Sequence, residues 1–191
     1  MKIGLFFGSF NPVHSGHMIL ASYMTEFTDL DRVWFVVSPH NPLKEKTSLL
    51  ADHHRLALVN AAIGDHPKFK ASDIEFGLPQ PSYTVNTLAY LKEKFPKENF
   101  SLIMGADNLE SLHKWKNFEE ILNNYSIYVY PRPGSTGGKF ASHPNVKMTD
   151  APVMEISSTM IRNGIRDKKD MRYFMPEHAW KYCDEMNFYK K

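Results

Sequence analysis

Hydrophobic and polar positions along the chain follow two different periods, and their succession predicts alternating strands and helices. Short apolar runs bounded by glycine or polar residues indicate buried strands, as in residues 2–7, KIGLFF. Segments with apolar residues at positions i, i+3, i+4 and i+7 indicate amphipathic helices. The apolar positions that follow this spacing in residues 15–27 are Leu20, Tyr23, Met24 and Phe27.

Applied to the whole chain, the pattern predicts strands and helices in regular alternation. The predicted strands are residues 2–7, 32–37, 68–76, 100–107 and 125–130, with a weaker one at 145–150. The predicted helices are residues 15–27, 52–63 (Asp52 as N-cap; Leu56, Val59 and Ile63 on one face), 82–95 (opened by Ser82 or Thr84), 118–124, 157–165 and 176–186. Such alternation predicts an α/β fold with a Rossmann-like, mainly parallel sheet, helices on both faces and a small C-terminal helical part. We expect a single domain over residues 1–191.

Composition narrows the class of protein. The formal net charge of +2 over 191 residues gives no argument for a nucleic-acid partner. The one cysteine, Cys183, cannot form an internal disulfide, which suits a reducing compartment. No apolar run approaches the ~20 residues of a membrane helix, and the first apolar run is too short for a signal peptide. We therefore expect a soluble, cytoplasmic protein without a membrane partner.

The loop after the first strand carries the first candidate chemistry. Residues 8–17 read GSFNPVHSGH, and they lead into the predicted helix at the edge where open parallel sheets bind ligands. A helix start favours phosphate, and His14 and His17 can both donate hydrogen bonds to the same anion. Their spacing would also fit a metal pair, although no third ligand is suggested. The glycine-rich residues 131–140 do not match a P-loop, because Phe140 stands where serine or threonine should bind magnesium.

Two separated motifs resemble a known family. GSFNPVHSGH is similar to the signature (G/T)xFxPxHxGH of the HxGH nucleotidylyltransferases, and ISSTMIR (156–162) resembles their second signature. Together with PSYTVNTL (81–88) and IMGADNLESLHKW (103–115), they resemble the bacterial nicotinate-nucleotide adenylyltransferases, and the similarity extends from Lys2 to the end of the chain.

This resemblance implies a reaction and a set of site residues. ATP and nicotinate mononucleotide would give nicotinate adenine dinucleotide and pyrophosphate, with Mg²⁺ accompanying ATP and few protein ligands for it. His14, His17 and Arg162 would be catalytic, and with Lys44 and two helix starts they would supply the positive charge that two anionic substrates require. The residues implied to bind ATP are Gly8, Ser9, Phe10, His14, His17, Gly105, Asp107, Ser158 and Arg162. The residues implied to bind the mononucleotide are Lys44, Tyr83, Thr84, Val85, Trp115 and Lys116.

Some points stay open at the level of the sequence. The family commonly has a histidine where Leu43 stands, so its contact would pass to Lys44, His40 or a neighbour. Preference for nicotinamide over nicotinate mononucleotide is an alternative, although Thr84 and nearby amides favour the acid. A non-catalytic nucleotide-sensing domain is a second alternative, which the two intact motifs disfavour. The oligomeric state is undecided.

Overall fold

The computed structural model describes residues 1–39 and 49–190, and its centre is a six-stranded sheet in which every pairing is parallel. The strands are β1 (Lys2–Gly8), β2 (Arg32–Val37), β3 (Phe69–Ser72), β4 (Asn99–Gly105), β5 (Ile127–Tyr130) and β6 (Val146–Met148). Their spatial order is β3-β2-β1-β4-β5-β6. The predicted α/β class and parallel sheet are therefore confirmed.

Helices connect the strands and cover both faces of the sheet. They are α1 (Ser15–Phe27), α2 (Asp52–Ile63), α3 (Thr84–Lys94), α4 (Ala106–Glu110), α5 (Phe118–Asn124), α6 (Ser158–Arg166) and α7 (Glu177–Glu185). Short 3₁₀ turns occur at Leu112–Lys114, Gly138–Phe140 and Arg172–Phe174. The predicted C-terminal helical part corresponds to α6 and α7.

The continuous apolar runs of the central strands are explained by burial on both faces. Along β2, Val33 and Phe35 belong to one core cluster, whereas Trp34 and Val36 belong to a second cluster on the opposite face. Successive side chains of a strand point to opposite faces, so a strand covered on both sides needs apolar residues at every position.

Tertiary packing shifted several predicted details. The apolar face of α1 was predicted to include Phe27, but that side chain, at the last residue of the helix, is 74% exposed and stacks on Tyr23. Asp52 is the first helical residue of α2 rather than its N-cap, and its carboxylate pairs with Arg55. Within α2, Val59 is buried as predicted.

Other boundaries also differ from the prediction. Strand β3 ends at Ser72 rather than at residue 76, because a turn closed by Phe76 N–H and Asp73 O follows it. Helix α3 begins at Thr84, and the preceding cap position is occupied by Tyr83 rather than Ser82. The short helix α4, which follows β4 without a loop, was not predicted.

The sheet order creates a switch point between β1 and β4. Chain connections run from β1 toward β3 on one side and from β4 toward β6 on the other, so the loops that follow β1 and β4 diverge at their carboxyl ends. Ligands of open α/β sheets bind in the crevice at such a point. Among residues 1–39 and 49–190, no helix is both long enough and apolar enough to cross a membrane.

Candidate active site

A cavity of about 570 Å³ opens at the carboxyl ends of the strands, beside the switch point. Its walls come from the loop after β1, the start of α1, the segment after β5 and the start of α6. Of the residues predicted to bind ATP, those that line it are Gly8, Ser9, Phe10, His14, His17, Ser158 and Arg162. The structure thus brings the two sequence motifs to one site.

The two predicted histidines lie face to face at the start of α1. Their ring centres are 3.7 Å apart, and the planes are inclined by 26°. The backbone N–H of His14 donates to Nδ1 of His17 at 3.2 Å. Because that nitrogen accepts, the proton of a neutral His17 ring lies on Nε2, the atom from which it can donate to a ligand.

The glycine between the histidines is explained by this stacking. A Cβ atom at Gly16 would lie 3.0 Å from Nδ1 of His14, which is closer than ordinary packing allows. A side chain at position 16 would therefore require the His14 ring to shift by a few tenths of an ångström. The HSGH pattern therefore contains its glycine for a packing reason.

His14 is buried and neutral at pH 7. Its side chain is 5% exposed, and burial, together with the smaller effect of the nearby Arg132 charge, lowers the pKa of its imidazole to about 4. Within the described residues, its Nδ1 has no hydrogen-bond partner. The expectation that His14 supplies positive charge is therefore wrong in the environment that the protein provides, although a neutral imidazole can still donate one hydrogen bond.

We expect this buried histidine to make the protein less stable in acid. The pKa of His14 is about 4 in the folded protein, against an ordinary value of 6.5. Between these values the unfolded chain binds more protons, so the free energy of unfolding falls as the pH falls, by at most about 1.4 kcal/mol per pH unit. Unfolding by urea at several pH values measures this effect.

The variant His14→Phe is the control, because it keeps an aromatic ring beside His17 and removes the titration. As the pH falls from 6.5 to 4, wild type should lose more stability than this variant. Equal losses in the two proteins would contradict the buried, neutral state of His14.

The second motif closes the cavity against the first loop. Ser157 is the N-cap of α6, and its Oγ accepts from the backbone N–H of Met160 at 3.2 Å. Ser158 Oγ donates to the carbonyl of Pro12 at 2.9 Å, and an Arg162 terminal nitrogen donates to the carbonyl of Asn11 at 2.8 Å. The four-residue spacing therefore places Ser158 and Arg162 on one face, as predicted, and that face meets the first loop.

Arg132 lines the cavity but was not among the predicted site residues. It follows β5, and its Nε lies 3.5 Å from Oδ1 of Asp107 and its guanidinium 5.8 Å from the ring centre of Tyr130. Its position just after a parallel strand is the signal that could have identified it. Arg132 therefore adds a positive charge to the cavity wall, whereas the neutral His14 adds none.

Gly105 and Asp107 lie next to this wall rather than among the cavity-lining residues. A Cβ atom at Gly105 would lie 2.4 Å from Oδ1 of Asp107 and 2.9 Å from Cγ of Arg132. Glycine at this position therefore leaves room for the close approach of these two side chains. Asp107 is connected to the cavity through its ion pair with Arg132.

The residues predicted for the pyridine nucleotide form a second group, which follows β3 and β4. The Lys116 ammonium lies 4.6 Å from the ring centre of Tyr83. Val85 and Trp115 are partly buried against the second core cluster, and Thr84 is half-buried at the first position of α3. None of these five lines the cavity of the first group.

One expectation concerns the β2–α2 connection, where Lys44, His40 or a neighbour would replace the family histidine that is absent at Leu43. All three of these positions lie outside the described residues. In the part of the chain that is described, no three His, Cys, Asp or Glu side chains come together in a cluster that could hold a metal ion.

Comparison with known proteins identifies the family of this chain. Residues 5–164 match a family described as Cytidylyltransferase-like. A Flavobacterium psychrophilum protein named Probable nicotinate-nucleotide adenylyltransferase is 59% identical over 193 residues, covering 100% of both chains. A Bacteroides fragilis protein of the same name is 48% identical, covering 94% of this chain and 90% of its own.

Solved structures support the fold. Plasmodium falciparum nicotinic acid mononucleotide adenylyltransferase complexed with NaAD superposes with a TM-score of 0.82 at 18% identity, covering 99% of this chain and 97% of that one. The same enzyme complexed with APC gives a TM-score of 0.80. With the two motifs joined at one cavity and full-length relatives at this identity, the chain belongs to the nicotinate-nucleotide adenylyltransferase family.

Proposed function

We propose that this protein transfers the adenylyl group of ATP to nicotinate mononucleotide, giving nicotinate adenine dinucleotide and pyrophosphate in NAD biosynthesis. The observation that carries the proposal is the junction of the first loop with α6, where Ser158 and Arg162 donate to loop carbonyls at the cavity wall. This junction places two helix starts and an arginine around one space suited to a chain of phosphates.

The reaction needs positioning more than proton transfer. A phosphate oxygen of the mononucleotide attacks the α-phosphorus of ATP, a new P–O bond forms, and the bond to the β-phosphate oxygen breaks to release pyrophosphate. The attacking phosphate has a second pKa of about 6 and is already ionised at neutral pH, so no general base is required. The enzyme must hold two anions in line and stabilise the charge that develops.

The ATP side of the site is assigned to the cavity. We infer that the backbone of Gly8, Ser9 and Phe10 contacts the triphosphate, and that His14 and His17 donate to it, with His17 at the α-phosphate. Ser158 and Arg162 would contact the β- and γ-phosphates from the start of α6. Gly105 and Asp107 would bind the ribose, with the Asp107 carboxylate accepting from a hydroxyl.

We infer that magnesium enters as a complex with ATP. Mg²⁺ prefers carboxylate, phosphate and water oxygens, and the lining residues among the described part of the chain include no carboxylate. Asp107, the carboxylate beside the wall, is paired with Arg132. The donor set therefore fits a metal held by phosphate and water, with few protein ligands.

The pyridine side is assigned to the second group of residues. Trp115 and Tyr83 offer flat faces for ring stacking, and Thr84 with the amides near Val85 and Lys116 offers donors to the ring carboxylate. The Lys116 ammonium beside Tyr83 adds a cation that favours an acid over an amide. Lys44 would complete this side by contacting phosphate.

A pyrophosphate-release assay with ATP and each mononucleotide in parallel tests the proposed function. No release of pyrophosphate with the nicotinate form would contradict it.

We expect Thr84→Val to narrow the preference for nicotinate over nicotinamide mononucleotide. A hydrogen bond to a charged group contributes roughly 1.5–3 kcal/mol, against about 1 kcal/mol for a neutral one, so the hydroxyl helps the acid more. Trp115→Ala should lower kcat/KM for both substrates by similar factors, because stacking depends on the ring face. The ratio of the two kcat/KM values is the measurement.

Thr84→Ser is the matched control, since it keeps the hydroxyl and should keep the ratio near that of wild type. An unchanged ratio in Thr84→Val would remove Thr84 from carboxylate recognition.

We also infer a reducing, cytoplasmic location. Cys183 is the one cysteine of the chain, and it is buried, with the pKa of its thiol raised to about 12 by burial. A thiol of this kind is structural and unreactive at neutral pH.

A further inference from the structure

Arg55 is a fully buried arginine in α2 that lies outside the cavity lining. Its side chain is 0% exposed, and it is the largest fully buried side chain among the described residues. Burial of a guanidinium is costly unless its N–H donors have hydrogen-bond acceptors, so the partners of this side chain are informative. The sequence pattern alone marks position 55 only as part of a helix.

The guanidinium donates to backbone carbonyls from three separate segments. The distances are 2.7 Å to Ser9 O, 2.8 Å to Ser38 O and 3.0 Å to Leu50 O. A longer contact of 3.5 Å reaches Pro39 O, and the remaining charge is balanced by Asp52 at the start of the same helix. The planar fork of arginine can serve several acceptors at once in this way, which a lysine ammonium cannot reproduce.

These carbonyls belong to the first loop and to the two ends of the β2–α2 connection. Ser9 lies in the first loop, Ser38 and Pro39 follow β2, and Leu50 precedes α2. The same first loop is also held by Asn11, whose Oδ1 accepts from Leu50 N–H at 3.2 Å and from the Tyr189 hydroxyl at 2.7 Å. Arg55, Leu50 and Tyr189 therefore hold the first loop by hydrogen bonds that are separate from those of α6.

The bond to Ser9 determines the direction of a peptide group at the cavity. The Ser9–Phe10 peptide is trans, so its N–H points opposite to its carbonyl. Holding the carbonyl toward Arg55 turns the N–H of Phe10 away from α2. Ser9 and Phe10 both line the cavity, so the orientation of this peptide affects which backbone N–H groups can donate to phosphate.

We propose that Arg55 is a positioning residue for ATP, which acts through the backbone of Ser9 and Phe10 without touching the nucleotide. The inference rests on the proposed function, since its readout is turnover of ATP. Loss of the guanidinium would let the first loop move, and displacement of a positioned group by about 1 Å can cost on the order of 100-fold in rate.

The test compares Arg55→Met and Arg55→Lys with Leu58→Ala. Leu58 is a fully buried residue of the same helix and belongs to the core, so its truncation lowers stability without removing a bond to the loop. Assays are run well below the melting temperature of each variant, with folding checked by circular dichroism.

We expect both Arg55 variants to raise KM for ATP and lower kcat, for a combined loss in kcat/KM of about 10- to 100-fold. We expect Leu58→Ala to keep both values within about twofold of wild type, because its truncation acts on packing and stability alone.

A further variant keeps the proposal testable if Arg55→Met does not fold. Arg55→Ala leaves space for a small guanidinium, and added propylguanidinium at millimolar concentration should restore KM for ATP, whereas propylammonium should not. Wild-type kinetics in folded Arg55→Lys, no rescue of Arg55→Ala, or an equal KM change in Leu58→Ala would each overturn the positioning role. Failure of wild type itself to release pyrophosphate would instead contradict the proposed function.

Discussion

His17→Ala is expected to lower kcat about 100-fold while KM for ATP changes only a few-fold. The His17 ring stands at the start of α1, with Nδ1 accepting from the His14 backbone and the proton on Nε2. A donor that faces the α-phosphorus stabilises charge as it develops, and removal of one such donor typically costs about 3 kcal/mol in the transition state. Steady-state kinetics of pyrophosphate release with saturating mononucleotide measures the effect.

His178→Ala serves as the control for this prediction. His178 is exposed on α7 and is not among the residues that line the cavity, so its loss should leave kcat unchanged. A His17→Ala enzyme with near-normal kcat, or one with a large rise in KM and unchanged kcat, would remove His17 from the reacting centre.

Arg162→Ala is expected to raise KM for ATP about 10- to 100-fold and to leave KM for the mononucleotide nearly unchanged. Hydrogen bonds to a charged group contribute roughly 1.5–3 kcal/mol, and each 1.4 kcal/mol is about tenfold in affinity. Arg162 is half-buried at the cavity, and one of its nitrogens holds the Asn11 carbonyl. Its position on α6 separates it from the Tyr83 and Trp115 group, so the effect should be selective for ATP.

Arg166→Ala is the matched variant, one turn later on α6. Its guanidinium is exposed. Among the ion pairs of the described residues, it forms one, with Asp167 at 3.4 Å. This substitution should change neither KM. A similar rise in both KM values for Arg162→Ala would show that the arginine supports the whole site rather than the triphosphate.

The sequence by itself determined the order of the strands along the chain and the loop where a ligand was expected. Apolar runs without alternation, as in residues 32–37, can only be accommodated where a strand is covered on both faces, so the parallel sheet follows from the pattern. The two motifs identified the family because loop and helix-start residues carry the chemistry in such sheets.

Only the tertiary structure decided which side chains meet and in what charge state. The bonds from Ser158 to Pro12 and from Arg162 to Asn11 join residues 146 and 151 positions apart, and they exist because strand order returns α6 to the first loop. The lowered pKa of His14 depends on burial and on Arg132, neither of which leaves a trace in local spacing. The burial of Arg55 also depends on the tertiary structure. A charged residue in a helix is expected to be exposed, and only the three loop carbonyls that accept from its guanidinium make its burial favourable.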